Sequence, residues 1–152
     1  MKKFFTLALF LAFVTSGAFA MDKAAGGGIL FHNIEDNWGT GLFGFLGFHY
    51  VEINAGFSMY FDDTFTLQTI QIGIYGKYPI PIGDRLVLFP TVGGDYEFFI
   101  GEAASEGVIW LRGGVGIDLF FTERFFLRSH LLAGYGYSAL SGLIKVGLGW
   151  MF

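Results

Sequence analysis

The sequence predicts an all-β fold, an eight-stranded antiparallel transmembrane β-barrel with up-and-down connections, and three observations predict it. Runs in which apolar and polar residues alternate recur along the chain, separated by turn-forming residues. Apolar residues make up 53% of the chain and charged residues only 14%, too few charges to cover a soluble domain. Beyond residue 20 no stretch offers the ~20 consecutive apolar residues of a spanning helix, so a backbone in lipid would have to close into a barrel.

Residues 1–20 have the pattern of a cleaved secretory signal peptide, which leaves residues 21–152 as one barrel domain. Two lysines precede an apolar stretch of about eleven residues, and an A-x-A cleavage site ends at Ala20. The apolar stretch is shorter than the ~20 residues that span a bilayer. An uncleaved anchor helix is the alternative interpretation.

Charge and cysteine content exclude several classes of partner. Without the two N-terminal lysines, the chain keeps seven Lys and Arg residues against thirteen Asp and Glu residues, a formal net charge of −6. Binding of nucleic acid depends on neutralising phosphates, so nucleic acid is not an expected partner. The chain has no cysteine, which excludes disulfides, thiolate chemistry and lipid attachment to an N-terminal cysteine. The sequence predicts no cofactor and no metal.

The first two strands have the weakest patterns. The first, about Ala24 to His32, contains Gly26-Gly27-Gly28, which indicates flexibility or close strand packing; it is not a phosphate loop, since no helix follows. The second, Leu42 to Tyr50, is apolar on both faces. Seven turn-forming stretches separate the eight strands: Asn33–Thr40, His49–Tyr50, Asp62–Thr64, Pro79–Asp84, Gly101–Gly107, Thr122–Arg124 and Ser138–Gly142.

Of the remaining six strands, five alternate with period two, and the strand Leu86 to Phe99 does so less regularly. Their apolar faces are, in chain order, Val51, Ile53, Ala55, Phe57 and Met59; Ile70, Ile72 and Ile74; Val92, Tyr96 and Phe98; Ile109, Leu111, Val115, Ile117 and Leu119; Leu127, Leu131, Ala133 and Tyr135; Ile144, Val146, Leu148, Trp150 and Phe152. The opposite faces carry glycine, polar and charged residues. This alternation is typical of strands whose two faces meet different environments.

The apolar faces are predicted to meet lipid, although a soluble barrel such as a lipocalin would turn them inward. The polar faces are crowded with glycine, which suits an eight-stranded interior that is just wide enough for side chains. A Lys or Arg facing lipid at the midplane would cost ~2–4 kcal/mol. Aromatic residues also gather near strand ends, as interface girdles do: Tyr60, Phe61, Trp110, Tyr135 and Tyr137 at one side, and Tyr78, Phe120, Phe125, Trp150 and Phe152 at the other.

The inward face carries a predicted lumen charge network, in which four acids face four bases. Its members are Glu52, Lys77, Asp95, Glu97, Arg112, Asp118, Arg128 and Lys145, with His130 beside them. Because an unpaired buried charge is very costly, these residues are expected to pair. They would form either a salt-bridge plug that closes the lumen, or a gate that passes a small solute and that His130 could titrate near neutral pH.

The connections at one end of the barrel are acidic. If both termini lie on the periplasmic side, as is usual in membrane barrels, the outer connections contain Glu35, Asp36, Asp62, Asp63, Glu102 and Glu106 and no Lys or Arg. Arg85 and Arg124 then fall on the periplasmic side. The acidic rim is either a solvated, repulsive surface or a surface for a basic or cationic extracellular partner. His32 with Glu35 and Asp36 offers ligand atoms for a cation, in a loop whose shape the sequence does not give.

The C-terminal strand resembles a known recognition signal. Leu143 to Phe152, LIKVGLGWMF, is similar to the C-terminal assembly signal of bacterial outer-membrane barrels, whose pattern is carried here by Val146, Leu148, Trp150 and Phe152. Together with the signal segment and the eight strands, residues 21–152 resemble the small-barrel superfamily of the OmpA membrane domain, OmpX and OmpW. Tyr75 to Phe99 also resembles small barrels of spirochaetes. The resemblance implies a bacterial outer-membrane location, contact with the lipid bilayer and recognition by the barrel-assembly machinery.

Three functions fit these features. The first is a structural or surface-interaction protein with a plugged lumen and short acidic extracellular loops. The second is a narrow channel for small molecules, including hydrophobic ones, in the manner of OmpW-like proteins. The third is a lipid-modifying enzyme, as some small barrels are, which would need a nucleophile beside a base. Since Ser105, Ser138 and Ser141 are predicted in outer loops and Ser129 points away from His130, no catalytic residue is assigned and no enzyme activity is expected.

Overall fold

The computed structural model describes residues 23–35, 37–61, 66–100 and 105–152. Within them the strands are β1 (Ala24–Ile34), β2 (Asn37–Gly47), β3 (Val51–Phe61), β4 (Thr66–Lys77), β5 (Ile80–Ile82), β6 (Leu86–Ile100), β7 (Ser105–Phe120), β8 (Phe125–Gly136) and β9 (Ala139–Met151). The predicted signal peptide at residues 1–20 and the predicted break at Asp62–Thr64 lie outside the described residues. In the described part, no helix is long and apolar enough to cross a membrane.

Eight long strands close into a barrel. Each pairs antiparallel with the next long strand, and β1 pairs with β9 at the seam. β5 is a short return strand that pairs only with the start of β6, while β4 pairs directly with the rest of β6. The predicted eight-stranded antiparallel barrel is confirmed. Within the described residues every long strand is paired on both sides, which is the condition for crossing lipid with strands.

The first and last described residues lie at the same end of the barrel, which we call the terminal end. Ala24 of β1 is paired with Met151 of β9, and the amide of Phe152 donates to the carbonyl of Lys23 at 2.9 Å. β2, β4 and β7 finish at this end. β1, β3, β6 and β8 finish at the opposite end.

Two hairpins at the opposite end are tighter than the sequence suggested. β1 and β2 are joined by two residues, and so are β8 and β9. Tyr137 and Ser138 have positive φ angles of 52° and 63°, as a two-residue type I′ turn requires. The predicted breaks at Asn33–Thr40, Gly101–Gly107 and Ser138–Gly142 are therefore too long. Small and polar residues such as Ser141 continue the strands here because they face the narrow interior, and in the sequence they resemble a loop.

The outer surface is an apolar belt. The apolar faces predicted for β3, β4, β6, β7, β8 and β9 all point outward, with Ile72 56% and Leu111 70% exposed. Trp38, Tyr78 and Trp150 are also exposed. Exposed aliphatic side chains on every strand suit lipid and would be poorly soluble in water.

The interior holds large apolar side chains as well as charges, which the sequence pattern had not indicated. Its apolar core cluster is Ala24, Leu30, Phe43, Phe45, Tyr75, Phe126, Leu132 and Leu143. Tyr60 and Trp110 are only 4% and 1% exposed, so their assignment to an interface girdle is wrong. Phe120 packs against the core cluster too. These bulky rings fit because glycine faces them: a Cβ added to Gly116 would lie 2.1 Å from the ring of Phe89.

The glycine run in β1 allows close packing at the seam of the barrel. A Cβ added to Gly28 would lie 2.1 Å from the carbonyl oxygen of Val146 on β9, closer than real contacts allow. Close strand packing, one of the two interpretations of the run, therefore accounts for it. The weakest pattern in the sequence coincides with the seam at which the barrel closes.

Candidate functional site in the barrel interior

The strands direct the predicted charge network into the lumen. Eight of its nine members are buried, and Lys77 is partly buried near the terminal end. Every long strand from β3 to β9 contributes at least one of them. Period two accounts for this placement, because each charged residue is flanked in its strand by outward-facing neighbours. Most of these side chains belong to two groups of neighbouring residues, each centred on an arginine.

The Arg128 cluster, which we define as Glu52, Lys77, Asp118 and Arg128, lies toward the terminal end. Arg128 Nε donates to Asp118 Oδ1 at 2.6 Å, and Arg128 Nη2 donates to Asp118 Oδ2 at 2.5 Å. Asp118 and Arg128 are direct cross-strand partners on β7 and β8, so the two-pronged pairing follows from the register. Arg128 Nη1 also donates to Glu52 Oε2. One guanidinium thus bonds two carboxylates, and its single positive charge offsets one of their two negative charges.

Three aromatic rings surround the guanidinium of Arg128. Its central carbon lies 4.5 Å from the ring centroid of Phe45, 4.9 Å from that of Phe126 and 5.3 Å from that of Phe89. Cation–π attraction of this kind strengthens when the cation is withdrawn from water. The ion pairs of Arg128 and the three rings thus pack against one another.

Among the described residues, no carboxylate lies within ion-pair distance of Lys145 Nζ. Its Nζ donates to Asn54 Oδ1 at 2.5 Å, and Asn54 Nδ2 donates to Glu52 Oε1 at 3.1 Å. Asn54 therefore links the ammonium of Lys145 to the Arg128 cluster by two hydrogen bonds. His130 Nε2 stands 3.6 Å from the same Glu52 oxygen, beyond hydrogen-bond length. Several basic side chains and Asn54 thus share Glu52.

The Arg112 cluster lies farther from the terminal end and comprises His32, Asp95, Arg112 and Ser141. Arg112 Nε donates to Asp95 Oδ2 at 2.6 Å, and Arg112 Nη1 donates to Ser141 Oγ at 2.5 Å. Arg112 Nη2 contacts His32 Nε2 at 2.9 Å. Tyr75 also donates to Asp95 Oδ2. Ser141, which the sequence placed in an outer loop, is a buried member of β9.

The partners of His32 fix its tautomer. Arginine only donates, so His32 Nε2 must accept from Arg112 and the ring proton must sit on Nδ1. His32 Nδ1 faces the hydroxyl of Tyr60, and Tyr60 Oη donates to Glu97 Oε1 at 3.3 Å. The four side chains form a directed chain from Arg112 through His32 and Tyr60 to Glu97. A neutral His32 is therefore a structural link in the described structure.

A cation site formed by His32, Glu35 and Asp36 does not fit this geometry. His32 is fully buried in β1, whereas Glu35 is exposed in the hairpin. Asp36 lies outside the described residues. Nor do the described residues bring together three His, Cys, Asp or Glu side chains able to hold a metal ion. The alternation in β1 was too weak to place His32 on the inner face.

Each cluster and the charged residue linked to it carry complementary charge, since Glu97 is linked to the Arg112 cluster through Tyr60 and Lys145 is linked to the Arg128 cluster through Asn54. Asp95 and Glu97 face one guanidinium in and around the Arg112 cluster, so that group is formally −1 when His32 is neutral. Glu52 and Asp118 face Arg128, Lys77 and, through Asn54, Lys145, so the other group is formally +1. The lumen is neutral only when both are counted together. Loss of one charge would therefore leave the lumen with a net charge.

The serines considered for catalysis are not placed beside a general base in the described part of the chain. Ser141 is held by Arg112, and Ser138 is exposed in a turn. Ser129 lies on the outward-facing side of β8, next to but facing away from His130. None of the hydrogen bonds recorded for the described serines goes to a histidine. The absence of enzyme activity stays a prediction.

Val146, Leu148 and Trp150 of the proposed assembly signal lie on the outer face of β9, and Phe152 follows directly after the strand. Leu148, Trp150 and Phe152 are 48%, 50% and 69% exposed, and Val146 is partly buried. At the opposite end Glu35 and Glu106 are exposed, and at the terminal end Arg85 and Arg124 are exposed. Asp36, Asp62, Asp63 and Glu102 lie outside the described residues. Their contribution to an acidic rim stays a prediction.

Comparison with known proteins identifies the fold. No protein family and no curated protein matches the sequence. The chain is similar to the N-terminal β-barrel domain of OprF from Pseudomonas aeruginosa, at 17% identity and a TM-score of 0.62, over 87% of this chain and 98% of that one.

Two further solved structures agree. A major outer membrane protein of Thermus thermophilus matches at 12% identity and a TM-score of 0.62, over 86% and 99% of the two chains. The attachment invasion locus protein Ail of Yersinia pestis, in complex with the heparin analogue sucrose octasulfate, matches at 14% identity and a TM-score of 0.59. The match covers 86% of this chain and 98% of that one. The predicted resemblance to small outer-membrane barrels is confirmed at the level of the fold.

Proposed function

We propose that this chain, which has the fold of the small bacterial outer-membrane β-barrels, is a structural protein of the outer membrane whose charged interior closes the lumen. The observation that carries the proposal is the filling of the interior. Arg112, Arg128 and Lys145 are buried among aromatic rings and share carboxylate or amide partners contributed by other strands. An eight-stranded interior has little room beyond its own side chains.

The plug has an energetic rationale. Ion pairs in a low-dielectric interior hold only when their geometry is good and their other hydrogen bonds are made. Arg128 meets both conditions by bonding both oxygens of Asp118 and one of Glu52. Opening a path for ions would break several of these contacts at once. Such a barrel would stabilise the envelope through its lipid-facing belt and need not transport a solute.

The first expected result is therefore electrical silence. In planar lipid bilayers, the purified protein should give no stable unitary currents, because both arginine clusters would have to open together. Single-channel recording at both voltage polarities is the measurement, with a known porin as a positive control. Discrete, reproducible conductance steps would favour the narrow-channel alternative and contradict the plug.

The second expected result concerns orientation. If the terminal end faces the periplasm, a peptide tag at Ala104, between Ile100 and Ser105, should be labelled on intact cells. A tag at Gly83, in the turn beside β5, should be labelled only after the outer membrane is permeabilised. An insertion at Asp36 is less suitable, because β1 and β2 are joined by only two residues. Labelling of the Gly83 tag alone on intact cells would show an inverted barrel.

A surface role for the acidic rim is the second candidate. β1, β3, β6 and β8 are each followed by a connection of two to four residues, with six acids and no base in or beside them. Such a surface would attract a cationic partner and repel a polyanion such as the heparin analogue found with Ail. Binding of polylysine to intact cells, lost when Glu35 and Glu106 are changed to Gln, would support it. Equal binding by the variant would contradict it.

A further inference from the structure

A cavity of about 180 Å³ lies at the terminal end of the barrel, beneath the Arg128 cluster. Its walls are mainly apolar and include Phe48, Val87, Phe89, Phe120, Phe126 and Met151. Its polar boundary is formed by Lys77, Asp118 and Arg128, with His49 at the strand end. The cavity is thus an apolar chamber with charged groups on one side.

The space exists because two residues at the strand ends are small. Ala24 of β1 and Gly47 of β2 are paired in the sheet and both line the cavity. A Cβ added to Gly47 would come within 3.2 Å of Arg128 Nη1 and 3.4 Å of Lys77 Nζ. Both cations therefore approach the place where a larger side chain would stand.

Of the charges at this boundary, the ammonium of Lys77 is the least engaged. Both carboxylate oxygens of Asp118 are taken by Arg128. Lys77 Nζ has Glu52 Oε2 at 3.7 Å, too far for a hydrogen bond. Glu52 already accepts from Arg128 and Asn54. The cavity therefore offers one positive charge whose donors are open to a new acceptor.

The size and walls of the cavity define a ligand class. An apolar cavity of about 150 Å³ holds one benzene molecule, so this chamber is large enough for a six-membered ring with one small substituent. Aromatic walls favour an aromatic ring, because edge-to-face contacts add to the burial of area. A charge-assisted hydrogen bond to Lys77 favours an anionic substituent.

From these observations we propose that the terminal-end cavity is a binding site for a small monocyclic aromatic carboxylate. The ring lies among Phe89, Phe120 and Phe126, and the carboxylate accepts from Lys77. The charged clusters lie between the ligand and the rest of the lumen, so the site is a binding pocket at the mouth of the barrel and does not require transport. The proposed binding site does not depend on whether the barrel conducts ions.

The test uses 4-fluorobenzoate and its neutral counterpart 4-fluorobenzyl alcohol, with fluorine NMR on the protein in phospholipid nanodiscs. Empty nanodiscs correct for partition into lipid. We expect saturable binding of 4-fluorobenzoate in the millimolar range, and binding of the alcohol that is weaker by about tenfold, as expected from loss of one charge-assisted hydrogen bond. If the wild-type protein shows no saturable binding of the acid, or binds acid and alcohol with equal affinity, the proposal is overturned.

Variants then locate the site. Lys77→Met should lower affinity for the acid to that for the alcohol, while Ala24→Leu should fill the chamber and remove binding of both. Arg124→Gln, which removes an exposed positive charge at the same end outside the cavity, should leave both affinities unchanged. Heat-modifiable migration confirms that each variant is folded. Unchanged acid binding in folded Lys77→Met or folded Ala24→Leu would place the ligand elsewhere and overturn the assignment.

Discussion

Arg128→Ala should destabilise the barrel by ~3–5 kcal/mol, the usual cost of removing one partner from a buried ion pair, and should make it leak ions. Arg128 supplies both hydrogen bonds recorded for the carboxylate of Asp118 and one of those to Glu52. Its loss leaves Asp118 buried without its partner and removes the cation from three aromatic rings. Since domains have a margin of only ~5–15 kcal/mol, this is a large fraction of the total stability. Urea unfolding in lipid vesicles measures the first effect, and bilayer recording measures the second.

Two controls separate charge from packing in this experiment. Ile72→Ala removes exposed apolar area on the lipid face of β4 and should leave conductance at the wild-type level. A double variant, Arg128→Met with Asp118→Leu, removes the pair together and should recover much of the stability, because apolar replacement of a whole buried pair is often neutral. If Arg128→Ala is as stable and as tight as wild type, the plug proposal fails.

Deletion of Phe152, or replacement of Trp150 and Phe152 by serine, should abolish assembly and leave unfolded protein in the periplasm. The reason proposed is that the assembly machinery reads the aromatic C-terminal strand. The expected loss is near complete, because an unassembled barrel exposes unpaired strands and its whole apolar belt. Heat-modifiable migration of the protein in outer-membrane fractions is the measurement.

A matched aromatic control and a refolding experiment identify the cause. Trp38→Ser removes an exposed aromatic residue of β2, far from β9 in the sequence, and should assemble normally. Phe152 also helps to close the seam, because its backbone N–H donates a hydrogen bond to the carbonyl of Lys23. A variant that refolds in detergent but does not assemble in cells has lost a recognition signal. A variant that neither refolds in detergent nor assembles in cells has lost barrel closure. If the deletion variant assembles at the wild-type level, the hypothesis of a C-terminal assembly signal is wrong.

Some features could be predicted from the sequence because they are local. Period two places Ile72 outward and Arg112 inward wherever a strand forms, and only a closed barrel tolerates such a surface in lipid. Tyr60 and Trp110 were misplaced because aromatic residues with a polar group suit both an interface girdle and a narrow polar interior. His32 was assigned to an outer loop because glycine-rich β1 has no alternation that would place it on the inner face. Turn lengths were overestimated because small inward residues resemble loops.

What the sequence by itself determined is thus the class of barrel, the face of each regular strand and the set of charges inside it. Only the tertiary structure decided which side chains meet. Lys145 and Asn54 are 91 residues apart, and Arg112 and His32 are 80 apart, yet each pair is in contact across the lumen. Alternation fixes the face of a residue but not its height in the barrel, which depends on the register of all eight strands and the shear that closure imposes. The sharing of Glu52, the locked His32 and the cavity beside Lys77 all follow from those heights.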